Sequence, residues 1–306
     1  MRVGIGDMLS AGLRSLSRYT GTLLAVFVVQ SIVALTCMLA VAVVLAQMFS
    51  HLPLFDEAVD GDLVALIECI RYGHTSFLAV GGIIFGAILL WQLASWFLVG
   101  GLYGVLAQRP EGRTETARCF GATGASTYLA YARLALCSLP GIALVLFVLE
   151  TGAGIANAYT EHPLTLWQLF APLALGLTPG LLLLHVVWTV TDYARVELTL
   201  RHDSHDPGVV VTYLRSVAYV IRRPLTLVHG AVGWIGFVLV TLAYAYLAAG
   251  HPMYGAEGAV ILFVARQCVS LVRTAIRVGI LSGQVELGRT RPQPPRRVEA
   301  KVDIKA

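Results

Sequence analysis

Three arginines, Arg266, Arg273 and Arg277, stand on "EGAVILFVARQCVSLVRTAIRVGIL" (257–281), a stretch whose other residues are mostly apolar. At about 100° per residue these positions fall within roughly 40° of one another, so the guanidiniums form one stripe along a helix. Such a stripe can do two things. It can clamp carboxylates of its own chain, or it can hold an anion, in both cases through charge-assisted hydrogen bonds.

The carboxylates placed to meet it are Asp192 and Glu197, which close the apolar run "VVWTVTDYARVELTL" (186–200) with Arg195 between them. Arg133, one to two turns into the third apolar stretch, is positioned to join them. Arg273 and Arg277 are expected to pin helices together through this cluster, whose excess positive charge can hold a lipid phosphate. An anion or substrate entrance would use the same residues. Arg266 falls near mid-bilayer, about 15 Å from the outer end of its helix, where an ionisable group costs at least about 2.5–3.5 kcal/mol. No Asp or Glu shares that depth, so the expected partners of Arg266 are carbonyls freed at proline kinks, Gln92 or Thr241. An intramembrane arginine is a functional-site hypothesis in its own right.

Other chemistry is weakly supported. His185 and His229 are placed within reach of Asp192, and two histidines with a carboxylate can bind zinc. There is no HExxH, however, and hydrogen bonding between helices is the commoner role for such residues. Ser282-Gly283 lacks the context of a nucleophilic serine. The five cysteines (Cys37, Cys69, Cys119, Cys137, Cys268) form no CxxC and indicate neither a disulfide framework nor a metal site. No cofactor is implied.

The elements that must position these residues are helices in lipid. Mean hydropathy is +0.74, 57% of the 306 residues are hydrophobic and 13% charged, against roughly a quarter charged in soluble domains. Six stretches reach the roughly 20 residues that cross a hydrocarbon core: 22–48, 76–107, 127–149, 164–191, 225–249 and 256–282. They lack the strict alternation of barrel strands, so the fold class is all-α, a bundle of six transmembrane helices. The first stretch, about 27 residues, is too long for a signal-peptide core and is expected to remain as a span. Residues 1–287 read as one membrane domain, and 288–306 as a disordered basic tail.

Lys and Arg mark cytoplasmic loops. The first connection, "SHLPLFDEAVDGDLVALIECIRYGHT", holds Asp56, Glu57, Asp60, Asp62 and Glu68 against Arg71 and is assigned outside. Leu63, Leu66, Ile67 and Ile70 at helical spacing predict a short helix lying on the outer face. Arg109, Arg113 and Arg118, then Arg201, Arg215, Arg222 and Arg223, then the tail, are assigned inside, which puts both termini in the cytoplasm. Arg71 is then the only one of 22 basic residues on the outer side.

Amphipathic segments at about 5–18 and 208–222 precede the first and fifth spans, as "LRSLSRYTGTLL" and "LRSVAYVIRRPLTL". Both suit helices in the cytoplasmic interface, where anionic headgroups meet basic residues. In the second, Val210, Leu214, Val217 and Ile221 share the apolar face, while Thr212, Arg215 and Arg222 point elsewhere. A weaker copy at 116–134 leads into the third span. Gly82/Gly86, Gly100/Gly104 and Gly279/Gly283 have the spacing of close helix contacts. Pro140, Pro172 and Pro179 predict kinks in the third and fourth spans.

"FLVGGLYGVL" (97–106), "CFGATGASTYLAYARL" (119–134) and "VVWTVTDYARVELTL" resemble a large group of bacterial six-helix inner-membrane proteins of uncharacterised role. The membrane domain attached to some glycerophosphodiester phosphodiesterases is more distantly similar. The resemblance implies a polytopic helical fold in the bacterial inner membrane and brings no catalytic residues. The reading is therefore a non-enzymatic membrane component whose partners are membrane lipids, with anionic headgroups at the cytoplasmic face, or an unidentified membrane protein. Nucleic acid is not a partner, since it would need a larger structured basic surface. Two alternatives use the same charge cluster: a transporter or permease component for a small solute, anion or lipid, and an intramembrane enzyme acting on lipid headgroups.

Overall fold

The computed structural model describes residues 4–49, 74–159, 165–200, 208–250 and 256–290, together with Glu57, Val64, Ala65 and Glu68 as isolated positions within 50–73. The outer amphipathic segment as a whole and the tail beyond Thr290 lie outside the described residues. Eight helices are formed among those described: α1 (Ile5–Arg18), α2 (Thr20–Phe49), α3 (His74–Gln108), α4 (Arg113–Ala158), α5 (Leu166–Leu200), α6 (Val209–Arg222), α7 (Leu225–Gly250) and α8 (Ala256–Arg289). The class is all-α, with no strand among the described residues.

Five helices, α2, α3, α4, α5 and α7, are long and apolar enough to cross a membrane. The sixth expected stretch does form a helix, α8, but it carries the three arginines within its apolar run and is not one of the five. Several helices outrun the apolar stretches that nucleate them. α4 has 46 residues, about 69 Å at 1.5 Å per residue, because the 116–134 segment fuses with its span instead of forming a separate helix. α5 runs on to Leu200 and so carries Asp192, Arg195 and Glu197 on helix. α8 reaches Arg289, two residues past the expected end of the membrane domain at 287. Helix continues through Pro140 in α4 and through Pro172 and Pro179 in α5.

α8 is the hub, touching α1, α2, α3, α5 and α7. Tight packing is concentrated at one end, where Tyr103, Val105, Tyr131, Val196, Leu281 and Val285 are buried together. Small residues let the backbones approach there. A Cβ on Gly101 or Gly104 of α3 would strike Phe120 or Thr123 of α4, and one on Gly12 of α1 would meet the Gly279 carbonyl of α8. A Cβ on Gly82 or Gly86 would meet nothing within 4 Å among the described residues, so one of the three expected contacts is not formed among them. A fourth contact replaces it: Gly152 of α4 lies backbone to backbone against Gly176 of α5.

The two short helices present unexpected faces. α6 turns Val209, Thr212, Ser216 and Val220 inward and leaves Val210, Leu214 and Ile221 59%, 60% and 70% exposed. α1 buries Met8, Ala11 and Gly12 and exposes Leu13. On α6 the hydroxyls of Thr212 and Ser216 face the protein between Val209 and Val220, while Val210, Leu214 and Ile221 face away from it.

Candidate functional site

Asp192 of α5 is 1% exposed, and both of its carboxylate oxygens accept hydrogen bonds. Oδ1 accepts from Arg277 of α8 at 2.9 Å and from Arg195, one turn along α5, at 3.3 Å. Oδ2 accepts from the Gln284 amide at 3.4 Å, and Gln284 Oε1 in turn accepts from the Tyr103 hydroxyl of α3 at 3.1 Å. The Arg195 guanidinium lies 5.9 Å from the ring centroid of Tyr131 on α4, whose hydroxyl is 2.7 Å from Thr199 Oγ1. Four helices are thereby joined through one buried carboxylate. A buried charge is tolerated only with this density of partners.

The expected Asp192–Arg277 pairing is therefore formed, and Arg195 belongs to it. Glu197 is buried at 4% exposure, farther along α5. Arg133 does not join. It is exposed on α4, and Tyr131, two residues earlier and rotated by about 200°, supplies that helix's contact instead. Tyr103, Gln284, Tyr131, Trp188 and Thr199 were not singled out by sequence, because an uncharged polar residue in an apolar run carries no periodic signal. A signal did exist at another level. "FLVGGLYGVL", "CFGATGASTYLAYARL" and "VVWTVTDYARVELTL" each deliver one or more members of this network: Tyr103, Tyr131, and Trp188 with Asp192, Arg195 and Thr199.

Upward along the stripe the surroundings change. The Arg277 guanidinium also lies 5.5 Å from the Trp188 ring centroid, and Arg273 lies 5.5 Å from that of Phe237. Trp188, Trp234 and Phe237 form a ladder of edge-to-face rings across α5 and α7, with centroids 5.7 and 6.1 Å apart. Arg273 is paired to no carboxylate among the described residues. Arg266 is exposed and meets neither a proline-freed carbonyl, nor Gln92, nor Thr241: Pro172 and Pro179 line a separate apolar cleft between α4 and α5, and the Thr241 hydroxyl bonds its own helix at Phe237 O. All three arginines instead line one cavity of about 400 Å³ between α2, α7 and α8. Its α2 wall is held to α8 by Thr274 with Gln30, at 2.9 Å, and by Ser31 with Gln267, at 3.4 Å.

The histidines serve the backbone. His185 Nε2 is 3.0 Å from Leu227 O, and His229 Nε2 is 3.2 Å from Ile280 O, so the first ties α5 to α7 and the second α7 to α8. Among the described residues no three of His, Cys, Asp and Glu gather closely enough to hold a metal, and the zinc alternative is not formed.

A second polar cavity, about 290 Å³, lies at the crowded end between α1, α3 and α8 and includes Arg14, Arg18, Arg109 and Glu286. Its cations have partners. Arg109 donates to Glu286 at 2.7 Å, and Arg18 reaches Glu111 at 3.5 Å. Arg289 donates to the Leu106 and Ala107 carbonyls at the C-terminal end of α3, where a cation also meets the negative end of the helix dipole. Burial first, and the charge of Arg109 second, lower the Arg289 pKa from its ordinary value, with Glu286 opposing them. Arg109 ends α3 in the left-handed region, at φ 55°.

No protein-family model, no curated protein and no solved structure matches this chain.

Proposed function

We propose that the protein is a non-enzymatic component of the bacterial inner membrane. It crosses six times, with α8 as the sixth span, keeps both termini in the cytoplasm, and engages anionic lipid headgroups at its basic end. The observation that carries this reading is the orientation of α6. Val210, Leu214 and Ile221 point away from the protein at the end where Arg215, Arg222 and Arg223 are exposed. A helix beside an aqueous rim would hide Leu214 and Ile221; one lying in the interface sinks them among acyl chains and leaves its arginines among headgroups. α1 repeats the pattern with Leu13 and Arg14.

Support for a non-enzymatic role comes from the clamp. Asp192 is engaged by Arg277, Arg195 and Gln284, and His185 and His229 each use one ring nitrogen on a backbone carbonyl of a neighbouring helix.

Cysteine labelling on intact cells tests it. Single cysteines at Glu161 and Pro252 should react with an impermeant reagent from outside, and one at Arg222 only after the membrane is opened. The reverse pattern would sink the orientation. Leu214→Glu with Ile221→Glu should sharply reduce the amount of protein in the membrane; unchanged accumulation would exclude burial of that face in lipid.

A further inference from the structure

The groove between α2, α7 and α8 presents positive charge that its own walls do not neutralise. Arg266, Arg273 and Arg277 line it along about 16 Å of α8, at 1.5 Å per residue. No Asp or Glu lines it among the described residues. Asp192 stands behind Arg277 and is shared with Arg195, so it offsets neither of the other two. Arg273 has an aromatic face, 5.5 Å away, and Arg266 has no acceptor among the described residues. A guanidinium held at this depth is costly unless oxygen atoms reach it.

The rest of the lining is equally particular. Gln30, Ser31 and Ser270 put polar groups beside the arginines, whereas Ala34, Leu35, Met38 and Phe263 make an apolar wall in the same cavity. A bare inorganic ion would have no use for that wall, and a hydrocarbon chain would have none for the arginines. About 400 Å³ exceeds what one phosphate needs and admits a glycerol with the first carbons of its chains. Guanidinium is the group best matched to a phosphate's several oxygens.

We infer that this groove binds the phosphate group of an anionic glycerophospholipid, held between Arg273 and Arg266 with its acyl chains against Leu35, Met38 and Phe263. The inference rests on the membrane reading above but not on its orientation. It assigns Arg266 and Arg273 to a ligand and leaves Arg277 to the fold.

The full chain, purified in neutral detergent, is titrated with phosphatidylglycerol, with diacylglycerol as the phosphate-free counterpart, and with inorganic phosphate; bound lipid is counted by native mass spectrometry. Phosphatidylglycerol should bind about tenfold or more tightly than diacylglycerol, and Arg266→Gln/Arg273→Gln should remove that preference. Ala34→Trp fills the groove without altering charge and should also abolish binding, which decides the matter if the double variant does not fold. Arg133→Gln, outside the groove, should bind as wild type does. Equal affinity for diacylglycerol, or undiminished phosphatidylglycerol binding by the folded double variant or by Ala34→Trp, would overturn the inference. Displacement of the lipid by inorganic phosphate at millimolar concentration would uphold the phosphate site and assign its ligand to solution. Solubilised protein has no sidedness, so a failure here is separate from a failure of the cysteine labelling.

Discussion

Arg277 and Arg273 are one helical turn apart on the same face of α8, yet they occupy two different kinds of place. Arg277 ends on a carboxylate that is 1% exposed and that also receives Arg195 and Gln284. Arg273 ends on an aromatic ring, in a groove that continues to Arg266. In the clamp both guanidiniums reach a carboxylate of the same chain; in the groove no carboxylate lines the cavity among the described residues. The residue type is constant along the stripe, so what separates a structural arginine from a binding arginine is whether a neighbouring helix brings a carboxylate to its depth. α5 does so at Asp192 and nowhere higher, because no residue of that helix before Asp192 is acidic.

The contrast can be broken most decisively at Asp192. Asp192→Ala leaves two arginines facing a buried site without a counter-charge and should cost about 3–5 kcal/mol, seen as a large fall in thermal stability and in membrane accumulation; a mutant with normal stability would mean that no clamp exists. The groove should answer with the opposite sign. In nanodiscs of neutral phosphatidylcholine, Arg266→Leu removes an uncompensated charge and should raise stability, by up to about 2.5 kcal/mol. A strong loss instead would show that Arg266 has a structural partner and belongs with the clamp.

Smaller effects sharpen the boundary between the two regions. Tyr103→Phe removes one buried hydroxyl from the edge of the clamp and should cost about 1 kcal/mol, measured by the same thermal unfolding; no change would place Tyr103 outside the network. Arg109→Gly relieves a left-handed residue that costs roughly 1–2 kcal/mol in other side chains, but forfeits a half-exposed pair with Glu286 worth about 0–1 kcal/mol. The net change should stay under about 1 kcal/mol, and a larger loss would mean that the rim arginines carry as much of the fold as the buried ones.

How far each feature could be read from the chain follows from what fixes it. The arginine stripe was legible because the helical period sets relative azimuth, and α8 needs no neighbour to line up positions 266, 273 and 277. The pairing of Asp192 with Arg277 was legible because both stand near the same end of a long apolar stretch, and the rise per residue fixes their level along it. Arg133 shared that depth but not the direction, and only the rotation of α4 about its axis brought Tyr131 inward in its place. The same holds for α6: the helical period predicted an apolar face, but not that the hydroxyls of Thr212 and Ser216 would be the side pressed against the protein. The Gly152–Gly176 crossing was missed because small residues acquire meaning only opposite other small residues.

Sequence alone determined that the chain is helical, rich in membrane-length apolar segments, and charged in one stripe, since these depend on hydropathy and on a repeat of 3.6 residues, both local. The tertiary structure decided which arginine meets a carboxylate and which lines a groove, since that depends on how separate helices are turned toward one another. Side-chain packing across helices sets those rotations, and no local pattern encodes them.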